Sequence, residues 1–203
     1  MKKLFTLITA TFVAFHFASH TAKAASIDYG EIGGFVRNSN NTLSANNNAV
    51  LLGTFTNGFD FSTNATNFAA TFAAFTEYGH TFIGDPGSGP TAGEFFATAT
   101  PTGVSGKQLY IWMFNTSYAN ISSATEWAIV TNTTLSSWLA PGDVPPSNTT
   151  SIDASDTGTV VPTGAKGLVV GSDVKMQSVI PEPSSLLLLT SAGLLTILRR
   201  RKP

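Results

Sequence analysis

The stretch EFFATATPTGVSGKQLYIWMF, Glu94–Phe114, holds two runs of strand-forming residues on either side of a turn-rich linker. EFFATAT (94–100) and QLYIWMF (108–114) have the length of strands and are too short for stable helices. Between them PTGVSGK (101–107) contributes Pro101, Gly103 and Gly106. Two such runs joined by a short Gly-containing linker predict a β-hairpin.

Working outward, the rest of the chain is divided in the same way. IDYGEIGGFVR (27–37) reads as a strand or strand pair bent at Gly33-Gly34, and AVLLGTF (49–55) as a buried strand. NSNNTLSANNN (38–48), NGFD (57–60) and DPGSGPTAG (85–93) are turns and loops. TEWAIVT (125–131) is a further strand, and GTVV (158–161) and GLVVGSDVKMQ (167–177) complete the set. The prolines of APGDVPPSNTTS (140–151) bar it from a central strand. Seven or so short strands at this spacing predict a mainly β protein, an antiparallel sandwich or jelly-roll-like body. One segment departs from the pattern. Phe68, Phe72 and Phe75 recur at helical spacing among alanines, which predicts one short helix over about 64–78, capped by Asn64 and ended by Gly79, with the three rings facing the core.

Composition narrows function more by exclusion than by assignment. No cysteine is present, which removes disulfides, thiolate metal sites and Cys nucleophiles. Charge is sparse at 11%, while 42% of residues are hydrophobic, so the chain can build a core. Between residues 25 and 180 there are four basic residues (Arg37, Lys107, Lys166, Lys175) against eleven acidic ones, a net −7. A body that acidic is unsuited to nucleic acid or to an anionic membrane surface.

Sites for chemistry are few. His80 is the one histidine beyond residue 24, with Glu77 and Tyr78 near it, and one His does not make a zinc site. Asp153 and Asp156 in SIDASDTG suit a polar turn better than a Ca²⁺ loop. Ser88 in the 84–93 loop lacks the surroundings of a nucleophile elbow. Asp60, Glu77, Asp85, Glu94 and Glu126 are the carboxylates available for glycoside hydrolysis, but no spacing pairs them. Tyr110, Trp112, Tyr118, Trp127 and Trp138 could stack on sugar rings, with Trp112 and Trp127 better read as core. Thr98-Ala-Thr100 is an isolated Thr-x-Thr, short of an ice-binding array. No catalytic, cofactor or metal residue is assigned, and the body is expected to be non-enzymatic.

The two ends are more informative. Residues 1–24 have the layout of a secretory signal peptide: Lys2-Lys3, an apolar run from Leu4 to Ala18, then Ala22-Lys23-Ala24 for signal peptidase, with cleavage expected after Ala24. At the other end, residues 179–203 read VIPEPSSLLLLTSAGLLTILRRRKP. Pro181-Glu182-Pro183 precedes a fifteen-residue run, Ser184–Leu198, that includes Leu186, Leu187, Leu188, Leu189, Leu194, Leu195, Ile197 and Leu198. As a helix it would extend about 22 Å, a marginal span for a ~30 Å hydrocarbon layer. Arg199, Arg200, Arg201 and Lys202 would hold its end in the cytoplasm and leave the body outside.

This order of parts resembles the PEP-CTERM sorting tail, which is also catalogued as an ice-binding protein C-terminal domain. The resemblance implies an exported protein of a Gram-negative bacterium, held first in the inner membrane. An exosortase-type enzyme would then process it for the cell surface or extracellular matrix, with exopolysaccharide as a candidate partner. The division expected is therefore signal peptide 1–24, exported body 25–178 and sorting and membrane-anchor segment 179–203. For the body the resemblance leaves three readings: a surface or matrix protein, a carbohydrate-binding (less readily ice-binding) module, or a secreted glycosidase-like hydrolase.

Overall fold

AVLLGTF forms strand β3 (Ala49–Phe55), and all seven residues are buried. That burial requires cover on both faces of the sheet around it. The computed structural model describes residues 25–84, 91–142 and 149–179; the expected signal helix and C-terminal hydrophobic helix lie outside them. The other strands are β1 (Ser26–Glu31), β2 (Val36–Arg37), β4 (Phe75–Phe82), β5 (Phe95–Ala99), β6 (Tyr110–Phe114), β7 (Glu126–Val130), β8 (Thr149–Asp153), β9 (Leu168–Val170), β10 (Asp173–Lys175) and β11 (Gln177–Ser178). Two α-helical turns, α1 (Phe61–Asn64) and α2 (Phe68–Ala73), and 3₁₀ turns at Tyr118–Ser123 and Ser136–Trp138 complete the set.

The chain is mainly β, as expected. A five-stranded antiparallel sheet runs β11-β7-β6-β3-β4, and two three-stranded sheets run β5-β1-β8 and β2-β10-β9. Alternation assigns the side chains of the large sheet to two cores. Val50, Leu52, Ile111, Met113, Ala128 and Val130 share one cluster with Ile27, Tyr29 and Phe95 of β1 and β5. That cluster is the interior of a sandwich. Leu51, Phe55, Trp112, Phe114, Trp127 and Ile129 face the other way, onto Phe61, Phe68, Phe75, Ile121 and Val179. The helical turns and the 118–123 segment therefore cover the second face.

Besides GTVV (158–161), which makes only an isolated bridge from Val160 to Thr131 and no strand, the structure corrects three expectations. EFFATAT and QLYIWMF do not form a hairpin: β5 pairs with β1, whereas β6 lies between β3 and β7 in the facing sheet. Their linker crosses from sheet to sheet because it carries apolar residues of its own; Val104 and the adjoining Leu109 are buried in the inter-sheet core. Its backbone bonds to the 138–140 segment, with Gly106 N–H donating to Ala140 O and Leu109 N–H to Trp138 O.

The helix expected over 64–78 is two separate turns followed by a strand. Asp60 caps α1 by accepting from Ser62 N–H, and Asn67 caps α2 by accepting from Ala70 N–H. Asn64 lies at the end of α1 and Gly79 inside β4. From Phe75 onward, pairing with β3 overrides the helical spacing. Phe75 is buried and Phe68 packs against the second core, but Phe72 is 36% exposed and stacks on Phe68.

The third correction concerns a strand missed within the polar 149–153 stretch. β8 adds parallel to β1 at the sheet edge, and β2 pairs parallel with β10, so the body is not wholly antiparallel. The Pro-rich segment before β8 still supplies no central strand, since β8 is an edge.

The two ring positions separate the observed fold from a continuous helix. Phe75→Ala is expected to cost about 3–5 kcal/mol, as for a ring removed from a closed core. Phe72→Ala is expected to cost about 1 kcal/mol or less, because its ring is partly in water. Urea unfolding of both variants checks this; equal losses would indicate one shared helical face.

Candidate functional site

A cleft of about 600 Å³ opens where β3, β4 and β6 end, lined by Thr54–Phe59, Phe61, Thr76 and Gly106–Gln108 with Tyr110. The local sequence shapes it. β3 ends at Phe55, and the Asn57-Gly58 turn, with Gly58 at φ +77°, reverses the chain. Asp60 then caps α1, which carries Phe61 back against β6. The wall is aromatic: the Phe55 ring lies 5.3 Å from Phe59, 4.8 Å from Phe61 and 5.1 Å from Tyr110 between centroids. Phe55 and Phe61 are buried, while Phe59 and Tyr110 are partly buried against the second core.

Polar groups alternate with the rings. Thr54 Oγ1 donates to Gln108 O, and Thr56 Oγ1 to Ala74 O. The Gln108 amide is occupied by Thr131 Oγ1 and the carbonyls of Asn132 and Trp138. Among the described residues the side chains of Asn57, Thr76, Lys107 and Tyr110 make no hydrogen bond or ion pair, which offers four polar groups at the cleft to a ligand. No carboxylate lines it among the described residues.

Of the aromatic residues singled out in the sequence, only Tyr110 reaches this cleft. Trp112, Trp127 and Trp138 are fully buried. Trp138 Nε1–H donates to Asp156 Oδ2 at 2.8 Å, a structural role. Phe55, Phe59 and Phe61 were missed because single aromatics beside a turn carry no periodic signal.

His80 belongs to a separate cluster. The pairing of β3 with β4 slips between Leu52 and Gly53, where Gly79 and Glu77 are the successive partners and Tyr78 is the extra residue. This bulge puts Glu77 and His80 on one face, which a regular strand would not do. His80 Nδ1 lies 2.8 Å from Glu77 Oε1, Tyr118 O–H donates to Glu77 Oε2 at 3.0 Å, and the Tyr118 ring stacks on His80 at 3.9 Å. Burial and then the Glu77 carboxylate raise the Tyr118 hydroxyl pKa. Gly53, opposite the bulge, leaves room for the Phe75 ring, which a Cβ would meet at 2.4 Å.

The remaining carboxylates named from the sequence are dispersed and occupied. Asp60 and Glu94 accept from Ser62 and Thr91, and those hydrogen bonds hold both below the ordinary carboxylate range, opposite to a general acid. Glu126 accepts from Ser39 N–H and Oγ–H. Asp153 takes Ser155 N–H and Oγ–H together with Ile32 N–H. Among the described residues no three His, Asp or Glu side chains group to hold a metal ion. Asp85 and Ser88 lie outside the described residues. Thr98 donates to Asp28 Oδ1, so the outer face of β1 and β5 is a mixed polar surface and not a threonine array.

Glu31 carried no signal in the sequence. It continues the inward row Ile27-Tyr29 of β1 and is fully buried; among the described residues neither carboxyl oxygen has a partner of good hydrogen-bond geometry, the Gly34 amide being a nearby but poorly aligned donor. Burial, then Asp153, and more weakly Asp173 and Asp156, push its pKa up to about 9, against the opposing pull of the Gly34 amide. Its folded pKa lies above the ordinary 4.5, so folding takes up a proton between these values. Stability is then greatest in acid and falls as pH rises toward 9, at up to about 1.4 kcal/mol per pH unit. Glu31→Gln is expected to flatten thermal stability between pH 5 and 9 and to raise it at the alkaline end; an unchanged slope would place that proton elsewhere.

The body's last strand leads directly to the tail. β11 pairs with β7, and Val179, 9% exposed, donates its N–H to Thr125 O. The anchor residues 186–198, the basic residues 199–202 and Ala22 and Ala24 lie outside the described residues, among which no helix is long and apolar enough to cross a membrane. No curated protein and no solved structure matches the chain. A family match is found at the end already singled out: residues 179–202 match the PEP-CTERM protein-sorting motif, which includes Pro181, Glu182 and Pro183. The chain thus carries a C-terminal PEP-CTERM protein-sorting motif, the mark of export through the membrane and sorting to the cell surface.

Proposed function

We propose that this is a non-enzymatic surface or extracellular-matrix protein whose body binds saccharide in the cleft between β3, β4 and β6. Export begins with the signal peptide 1–24. The apolar segment 184–198 then holds the chain in the inner membrane of a Gram-negative cell until an exosortase-type enzyme processes it.

The carrying observation is the lining of the cleft. Sugar rings present apolar C–H faces and a rim of hydroxyls. The partly exposed rings of Phe59 and Tyr110 offer surface to the former, and Asn57, Thr76, Lys107 and Tyr110 offer hydrogen bonds to the latter. Lys107 further suits a uronate carboxylate. The hydrolase reading is less well supported, because two-carboxylate chemistry has no carboxylate among the described residues of this cleft. Ice binding is likewise disfavoured, since the exposed Thr98 is tied to a charged neighbour.

Calorimetric titration of the mature chain with neutral and uronate oligosaccharides tests the proposal. Binding is expected to weaken at least tenfold in Tyr110→Ala and Phe59→Ala, about 1.4 kcal/mol or more. Lys107→Ala is expected to weaken uronate binding selectively. Binding unaffected by all three substitutions would exclude the cleft.

A further inference from the structure

The sorting motif and the folded body overlap at Val179. Its side chain is in the second core, and its N–H is bonded to Thr125 O. Before it, Gln177 and Ser178 pair with Trp127 and Glu126, and Gln177 Oε1 accepts from Gly167 N–H. Only Ile180 separates this pinned residue from Pro181-Glu182-Pro183. Four residues, 180–183, reach at most about 14 Å when fully extended. A peptidase takes its substrate as an extended segment hydrogen-bonded along the enzyme, and that segment includes residues preceding the scissile bond. Those residues are already committed to β7.

We infer that processing of the tail requires β11 and Val179 to detach from β7 while the rest of the body stays folded. This rests on the processing reading above. The position of β11 suits such release: it is a two-residue strand at a sheet edge, a place where local opening precedes global unfolding. The residue before it sets the limit. Met176 is fully buried in the other core and donates its N–H to Arg37 O, so opening stops there. Residues 177–183 would then be free to enter the enzyme. The bond cut is a peptide bond: water adds to the body-side carbonyl, which ends as a carboxylate, and the tail leaves as an amine that takes the proton.

A reversible crosslink tests this directly. Val179 N–H donates to Thr125 O, while the Glu126 N–H and C=O both point away from β11 to Asn115, so Ser178 and Glu126 oppose each other at a non-hydrogen-bonded pair. Their Cα atoms should then be about 4.5 Å apart, within disulfide range. The native chain has no cysteine, so the double variant S178C/E126C can form only that bond within the chain. Expressed in the native host, its oxidised form is expected to keep the tail to Pro203 by intact mass. The reduced form should be processed like the unmodified protein, which controls for the lost Glu126–Ser39 bonds. Six Gly/Ser residues inserted after Val179 should restore processing of the oxidised form. Equal processing of oxidised and reduced protein would overturn the inference. Retention of the tail by the unmodified protein would overturn both it and the processing reading.

Discussion

The rest of the structure depends on covering both faces of the five-stranded sheet. Trp112 and Met113 are adjacent in β6 yet belong to different cores, and both are fully buried. An antiparallel sheet of this size usually leaves one face to water. Here a smaller sheet covers one face and short helical turns cover the other. Hence the runs AVLLGTF, YIWMF and EWAIV are nearly continuous in apolar residues. In a body with no disulfides, this double layer supplies the hydrophobic burial that stability requires.

The features of interest follow from where that cover ends. At the β3 end of the sheet, α1 and the Asn57-Gly58 turn wrap around Phe55 without closing over it, and the cleft results. Along the neighbouring edge strand, β4, a bulge turns Glu77 and His80 to one side. At the third boundary, where the small sheets meet, Glu31 is drawn inward by strand alternation alone and stays protonated through neutral pH. The final strand, β11, lies at the remaining edge, and the sorting motif begins before the body has ended.

The sequence revealed strands where apolar runs were long, because two-sided burial leaves a local mark. β3, β6 and β7 lie within the expected runs, and Trp112 and Trp127 are core. It did not reveal their partners. The Glu94–Phe114 stretch has every local sign of a hairpin, yet Val104 and Leu109 commit its linker to the inter-sheet core and send its halves to different sheets. Phe75 reads as helical from its spacing to Phe68 and Phe72, but pairing with β3 decides otherwise. β8 is polar because it is an edge strand, and polar edges resemble turns. The cleft aromatics were illegible for a similar reason: Phe55, Phe59 and Phe61 converge through a turn and a cap, and no repeat announces it. The sorting motif at 179–202 was legible, since its signal is linear and needs no fold.

Native-state hydrogen exchange on the mature protein, read residue by residue, tests the double-layer account most directly. If both faces of the sheet are closed, the paired amides of β3 and β6 exchange only through global unfolding, at one common free energy. The Gln177 and Val179 amides should exchange far faster, through local opening of β11. Exchange in β3 and β6 as fast as in β11 would mean that the second face is open, and would contradict the account.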